Sequence, residues 1–119
     1  MTTQETGAAG EKIAALYLSS HGYDIRECNV HFRKLEIDIV AYDRALSMMV
    51  FVEVKTRGTH SAAYPIHSAV DARKKKNMRK AVTRWVNLHR YEGCGRIDVL
   101  SVCHGKVVEH IKDLGSDFY

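Results

Sequence analysis

Residues 48–55 read Met-Met-Val-Phe-Val-Glu-Val-Lys. A short run this apolar and this rich in β-branched residues predicts a buried strand. It ends in a Glu-x-Lys pair, Glu53 and Lys55. Just before it, residues 35–42 alternate at first, with Leu35, Ile37 and Ile39 set against Glu36 and Asp38. The gap between the two runs, residues 44–47, is a normal length for a hairpin connection. With Asp43 opposite Met48, Asp38 falls opposite Glu53 and Glu36 opposite Lys55. Side chains alternate along a strand, so this register predicts all four groups on one face. A one-residue slip would separate them and also misplace the apolar set.

Two carboxylates facing each other across a sheet repel, so one pKa rises or a cation compensates. Lys55 compensates in part. A hard divalent cation does so better, because Mg²⁺ prefers carboxylate oxygens and keeps waters for a phosphate substrate. Mn²⁺ suits the same ligands. Such an ion polarises a phosphodiester and lowers the pKa of bound water. Lys55 is then placed to orient the water or to offset charge on the phosphate. The alternative is a structural ion-pair network on a half-exposed sheet face, and Glu-x-Lys alone does not choose between the two.

The remaining sequence supplies a frame for this hairpin. Ile13, Leu16, Tyr17 and nearby alanines predict an amphipathic helix over 6–21, with Gly22 just past its end. Residues 23–31 read as a mixed strand, and 58–65 as a loop. A second helix is expected from Pro65 to about residue 90, with Met78, Ala81, Val82, Trp85 and Leu88 as its apolar stripe and Gly93 and Gly95 ending it. Residues 96–103 and 106–111 predict two strands joined at His104-Gly105. The tail from Asp113 reads as irregular. The order α-β-β-β-α-β-β packs most economically as a mixed sheet with a helix on each side.

At 119 residues, one domain with a substantial core is expected. No apolar run approaches the ~20 residues that span a bilayer, and residues 1–10 lack the pattern of a secretory signal. The three cysteines, Cys28, Cys94 and Cys103, are odd in number and form no CxxC pair. Buried or half-buried thiols in a reducing cytoplasm are expected. Zinc is disfavoured, because the histidines form no HxxxH and Cys103-His104 lacks companion ligands. Arg96 and Asp98 share a face and predict a local ion pair.

The net charge of +4 is mild, but its distribution is not. Arg73, Lys74, Lys75, Lys76, Arg79, Lys80 and Arg84 cluster, with no acid between Ala72 and Tyr91. That excess points to a polyanion partner, the alternative being a solvated helix face.

Gly10-Glu11, Tyr17-Leu18, Gly22-Tyr23, Asn29, Glu36-Ile37-Asp38, Phe51 to Arg57 and Arg96-Ile97-Asp98-Val99 resemble the YraN-like family. That family is a bacterial group of the PD-(D/E)XK nuclease superfamily, related in fold to archaeal Holliday-junction resolvases. The resemblance spans residues 7–102 and is most distinctive over 51–57. It implies a restriction-endonuclease-like α/β fold with an αβββαβ core. By resemblance, Asp38 matches the metal-binding aspartate, Glu53 and Lys55 match the Glu-x-Lys pair, and Glu11 matches an acid on the first helix that helps ligate metal. Glu36 is then a supporting acid, and Arg57 a phosphate contact or an exposed strand-end arginine. One departure is Leu35, where this family usually carries glycine, so the entry to the site is expected to differ.

The resulting expectation is a Mg²⁺- or Mn²⁺-dependent DNA endonuclease acting on branched DNA. Because resolvases act as symmetric dimers, a homodimer is part of that expectation. The competing expectation is a non-catalytic nucleic-acid-binding module built on the basic helix over 73–84. A third is a protein-interaction subunit whose basic helix meets an acidic partner.

Overall fold

The computed structural model describes residues 3–57 and 72–112, with side chains described over 8–56 and 73–112. The elements run α1 (Thr3–Ser20), β1 (Tyr23–Phe32), β2 (Leu35–Asp43), β3 (Met48–Arg57), α2 (Ala72–His89), β4 (Gly95–Cys103) and β5 (Lys106–Ile111). The strands form one mixed sheet in the order β1-β2-β3-β4-β5. β1, β2 and β3 form an antiparallel meander, β4 runs parallel to β3, and β5 returns antiparallel to β4. A parallel step needs a long crossover, and the segment containing α2 supplies it. The architecture is the expected α/β sheet between two helices and is compatible with an αβββαβ core. The loop expected at 58–65, the helix start after Pro65 and the tail from Asp113 lie outside the described residues.

Local chemistry fixes the connections. In the β2–β3 turn, Asp43 Oδ1 accepts the backbone N–H groups of Ala45 (3.0 Å) and Leu46 (3.2 Å), as turn-forming aspartates do. His104 and Gly105 both have positive φ, 51° and 75°, which suits the tight β4–β5 hairpin. α2 ends differently from expectation. Arg90, not a glycine, takes the left-handed position (φ 51°). Tyr91 N–H donates to the Val86 carbonyl and Arg90 N–H to that of Asn87, the paired bonds that close a helix C-terminus.

Each face of the sheet carries its own core. On one side Ala14 and Leu18 of α1 pack against Ile39, Ala41, Val50, Val52, Val54, Leu100 and Val102. On the other, Met78, Ala81, Val82 and Trp85 of α2 cover Ile37, Val40, Met49, Phe51 and Ile97. Two stripe residues are corrected: Leu16 is 65% exposed and Leu88 68% exposed. Ala14 and Leu18 take the inward positions on α1 instead. The cysteines also differ from expectation, since Cys28 and Cys94 are exposed and only Cys103 is buried. Among the described residues, no helix is long and apolar enough to cross a membrane.

Gly10 sets how closely α1 approaches the sheet. A Cβ there would collide with the Thr56 side chain near the end of β3. Only hydrogen allows that contact, and it brings Glu11 to the same end of the sheet.

Candidate functional site

β2 and β3 pair in the expected register, from Asp43–Met48 to Ile39–Val52. There the ladder stops. The next pair would be Asp38–Glu53, and the strands part before reaching it. Asp38 occupies the opening: its Oδ2 accepts the Val54 backbone N–H at 2.7 Å. A side chain thus satisfies a backbone donor at the point where backbone pairing ends. Asp38 is only 8% exposed.

Glu53 and Lys55 project from β3 on the α2 side, with Lys55 Nζ 3.1 Å from Glu53 Oε1. Lys74, in the first turn of α2, brings its Nζ to 3.8 Å from the same oxygen. Glu53, Lys74, Lys34, Leu35 and Glu36 line a cleft of about 150 Å³. Glu36 reaches this cleft, but its predicted place opposite Lys55 is not realised. It pairs across the sheet with His31, and its exposed carboxylate lies 3.6 Å from that ring.

The single shared face expected for the hairpin is also corrected. Leu35 and Ile37 belong to the α2 core, whereas Ile39 and Ala41 belong to the α1 core. Alternation breaks between Ile37 and Ile39. Opposite this break, on β1, Asn29 has a φ of 53°. That left-handed residue reverses the side-chain direction of the strand, and asparagine is among the few non-glycine residues that tolerate it. With its amide oriented to donate, Asn29 places its nitrogen 2.8 Å from Glu11 Oε2. Glu11 is therefore held from the α1 side while Glu53 and Lys55 stand on the α2 side.

Burial, and next the Glu53 charge, push the Asp38 carboxyl up to about 8, against a lowering effect from the Val54 N–H. Glu11 and Glu36 add smaller effects in the raising direction. The carboxylates of Glu53, Glu11 and Glu36 thus all act on Asp38, and Lys55 and Lys74 both approach Glu53. This donor set fits a hard divalent cation, which favours carboxylate oxygen and relieves such crowding. Among the described residues, no three Asp, Glu, His or Cys side chains converge into a complete ligand set. Asp38 and Glu53 would be the principal protein ligands, with water and substrate oxygen completing the shell, as is usual for Mg²⁺.

The sequence over residues 10–102 matches the model of the uncharacterised protein family UPF0102. The chain belongs to that family. A UPF0102 protein of Trichlorobacter lovleyi is 43% identical over 101 residues, covering 83% of this chain and 77% of its own. One from Geobacter metallireducens is 38% identical over 113 residues, covering 94% and 90%. One from Chlorobium chlorochromatii is 37% identical over 121 residues, covering 94% and 92%. The span that makes this a UPF0102 chain contains Glu11, Asn29, Asp38, Glu53 and Lys55.

The other sequence-predicted positions of this UPF0102 member fall into two groups. Arg73, Lys74, Lys76 and Lys80 are exposed on α2, and Lys75 and Arg79 are half-buried. Arg57 ends β3 opposite Cys103, and its side chain lies outside the described residues. Leu35 has no positive φ, so its backbone does not require glycine, and the side chain forms a cleft wall instead. Sequence reasoning gave Asn29 no role; its signal was an asparagine in a strand, where a left-handed break is affordable. The expected Arg96–Asp98 pair is present, at 2.9 Å, and is larger than expected. Arg96 also donates to Asp43 (3.1 Å) and to the Tyr23 hydroxyl (2.8 Å), and His110 Nε2 lies 2.6 Å from Asp98. This buried network stands at the hairpin-turn end of the sheet, away from Asp38.

Proposed function

We propose that this protein is a divalent-metal-dependent DNA endonuclease of the PD-(D/E)XK type, acting on branched, Holliday-junction-like DNA in the cytoplasm as a homodimer. The observation that carries the reading is Asp38, buried where β2 and β3 part and raised by the Glu53 charge, with Lys55 3.1 Å from that same Glu53. Asp38 and Glu53, with Glu11 from α1, would hold Mg²⁺ or Mn²⁺, and Glu36 would reinforce the negative field. When bound, such a cation polarises the phosphodiester and makes water a better nucleophile. Asp38 is fixed for this by the Val54 N–H at 2.7 Å. Lys55 gives up part of its Glu53 contact to face the phosphate and offset the charge developing there. Lys74, Lys75 and Lys76 draw the DNA backbone towards the cleft, and Arg57, at the end of the same strand, extends that contact.

The test is cleavage of labelled duplex, single-strand, flap and four-way-junction DNA with Mg²⁺ or Mn²⁺, comparing wild type with Asp38→Ala. Cleavage present in the wild type and lost in the variant supports the nuclease. Equal cleavage by both removes this site from the reaction.

A second reading is favoured by one observation: α2 carries a groove of about 540 Å³ lined by Lys76, Arg79, Lys80 and Arg84. In that reading the chain binds nucleic acid without cutting it. Affinity would then fall steeply with salt, since each neutralised phosphate releases counterions. Replacing Lys74, Lys75 and Lys76 by Glu would weaken binding across all sequences.

A further inference from the structure

We infer that Ser101 is a positioning residue for Lys55, its buried hydroxyl being the second acceptor that receives the Lys55 ammonium when a cation takes Glu53. The role of this exchange in cleavage rests on the nuclease reading. The pairing of Lys55 with Ser101 does not.

The sheet sets the two residues side by side. β3 and β4 run parallel, and Lys55 is the ladder partner of Ser101. Ser101 stands between Leu100 and Val102, both packed in the α1 core. Alternation therefore turns Ser101 to the α2 side of the sheet. Lys55 follows Val54, also in the α1 core, and shares its face with Glu53. Lys55 and Ser101 are thus same-face neighbours on strands about 4.8 Å apart. A lysine side chain is long enough to cross that separation.

The Ser101 hydroxyl is unsatisfied where it stands. Ser101 is 1% exposed, and its Oγ has no hydrogen-bond partner among the described residues. Native structures rarely leave a buried polar group unpaired, because its lost hydration is not replaced. The rest of this strand segment is apolar, with Val99, Leu100 and Val102 all buried. Alanine would fit such a setting without the penalty. A hydroxyl there is accounted for if another arrangement of the site supplies its partner.

Lys55 has the complementary need. Its side chain is 15% exposed, and its Nζ lies 3.1 Å from Glu53 Oε1. Lys74 approaches the same oxygen at 3.8 Å, but its side chain is 48% exposed. A divalent cation held by Glu53 repels both ammoniums. Lys74 can turn towards solvent. Lys55 is too enclosed for that, and a buried ammonium without an acceptor is strongly disfavoured. An ammonium only donates, whereas a serine hydroxyl has lone pairs to accept. Ser101 Oγ, one strand over, meets that need and keeps the charge beside the site without competing for Glu53. Ser101 acts through Lys55 and touches neither metal nor substrate.

The experiment is a double-mutant cycle on the whole chain in metal-free buffer, read by urea denaturation. Glu53→Ala removes the first acceptor, as a bound cation would. In the wild-type background, Ser101→Ala is expected to leave the urea midpoint unchanged or to raise it. In the Glu53→Ala background, it is expected to lower the folding equilibrium constant about tenfold or more, as loss of a hydrogen bond to a charged group does. Lys55→Met should abolish this coupling. If Glu53→Ala does not fold, Glu53→Gln takes its place and should give the same sign. Additive effects overturn the inference, and so does coupling that survives Lys55→Met. In cleavage assays, Ser101→Ala is expected to lower kcat about tenfold or more with KM for DNA unchanged. An unchanged kcat overturns the positioning role. Asp38-dependent cleavage with an additive cycle would sink this inference and spare the nuclease. Coupling through Lys55 without cleavage by any metal would do the reverse.

Discussion

Asp38 receives the backbone N–H of Val54 at 2.7 Å, one residue beyond the last β2–β3 ladder pair. The carboxylate is thus both the strand's terminal hydrogen-bond partner and the most perturbed acid of the candidate site. Its two roles separate by substitution. Below about pH 4, where this carboxyl is protonated in the folded and the unfolded chain alike, Asp38→Ala orphans the Val54 donor and should cost about 1–3 kcal/mol. Asp38→Asn keeps an acceptor in place and should cost less. Both should abolish cleavage. Urea denaturation beside the cleavage assay checks the pair, and an Asn variant as unstable as Ala would refute the shared role.

The acid's titration gives a pH dependence with a definite sign. Asp38 is raised from 3.8 to about 8 by burial and by Glu53. From about pH 4 to about pH 8 the unfolded chain has lost this proton while the folded one keeps it. Stability contributed by this group therefore falls as pH rises through that window and levels off above it. In metal-free protein, the Asp38 carboxyl carbon should titrate near 8 by NMR. Added Mg²⁺ should move that midpoint down, because a cation favours the charged form. A midpoint near 4 without metal would mean the acids are not crowded in solution.

Gly10 tests the approach of α1. Gly10→Ala introduces a Cβ into the Thr56 side chain and should destabilise by about 1–3 kcal/mol. Adding Thr56→Ala should recover part of that loss. Two independent, additive losses in a double-mutant cycle would show that the contact is not the cause.

The buried cation at the far end of the sheet offers a contrast. Arg96 bonds Asp98, Asp43 and Tyr23 at once, and these partners hold its charged form firmly despite burial. Arg96→Met leaves two buried carboxylates without their cation and should cost about 3–5 kcal/mol. Arg96→Lys should not rescue it, since one ammonium does not reproduce the forked contacts. Thermal denaturation measures both, and a mild effect of Met would mean the carboxylates find other partners.

Much of this was legible in the sequence because hydrophobic pattern dictates sheet and helix. The hairpin register from Asp43–Met48 follows from apolar spacing, and the structure uses it. The His104-Gly105 turn follows from residues suited to positive φ. What escaped the pattern was the departure from regularity. Strict alternation put Ile37 and Ile39 on one face, but β2 breaks alternation between them, opposite the left-handed Asn29 of β1. Period-two reasoning along β2 alone has no access to that event. Leu16 and Leu88 were misplaced for a related reason. A helix stripe several residues wide does not say which edge the sheet covers. The Glu53–Lys55 contact was legible from spacing, whereas the separate approach of Glu11 through Asn29 required the third dimension.

The break in alternation opposite Asn29 has an electrostatic consequence. On β2, Asp38 marks the border between Ile37, which lines the α2 core, and Ile39, which lines the α1 core. α1 holds Glu11 on one side of the border, and α2 carries Lys74 to Glu53 on the other. Glu11 and Glu53 both raise the pKa of this same Asp38 carboxyl. Charges held from both layers of the molecule thus act on the one Asp38 carboxyl.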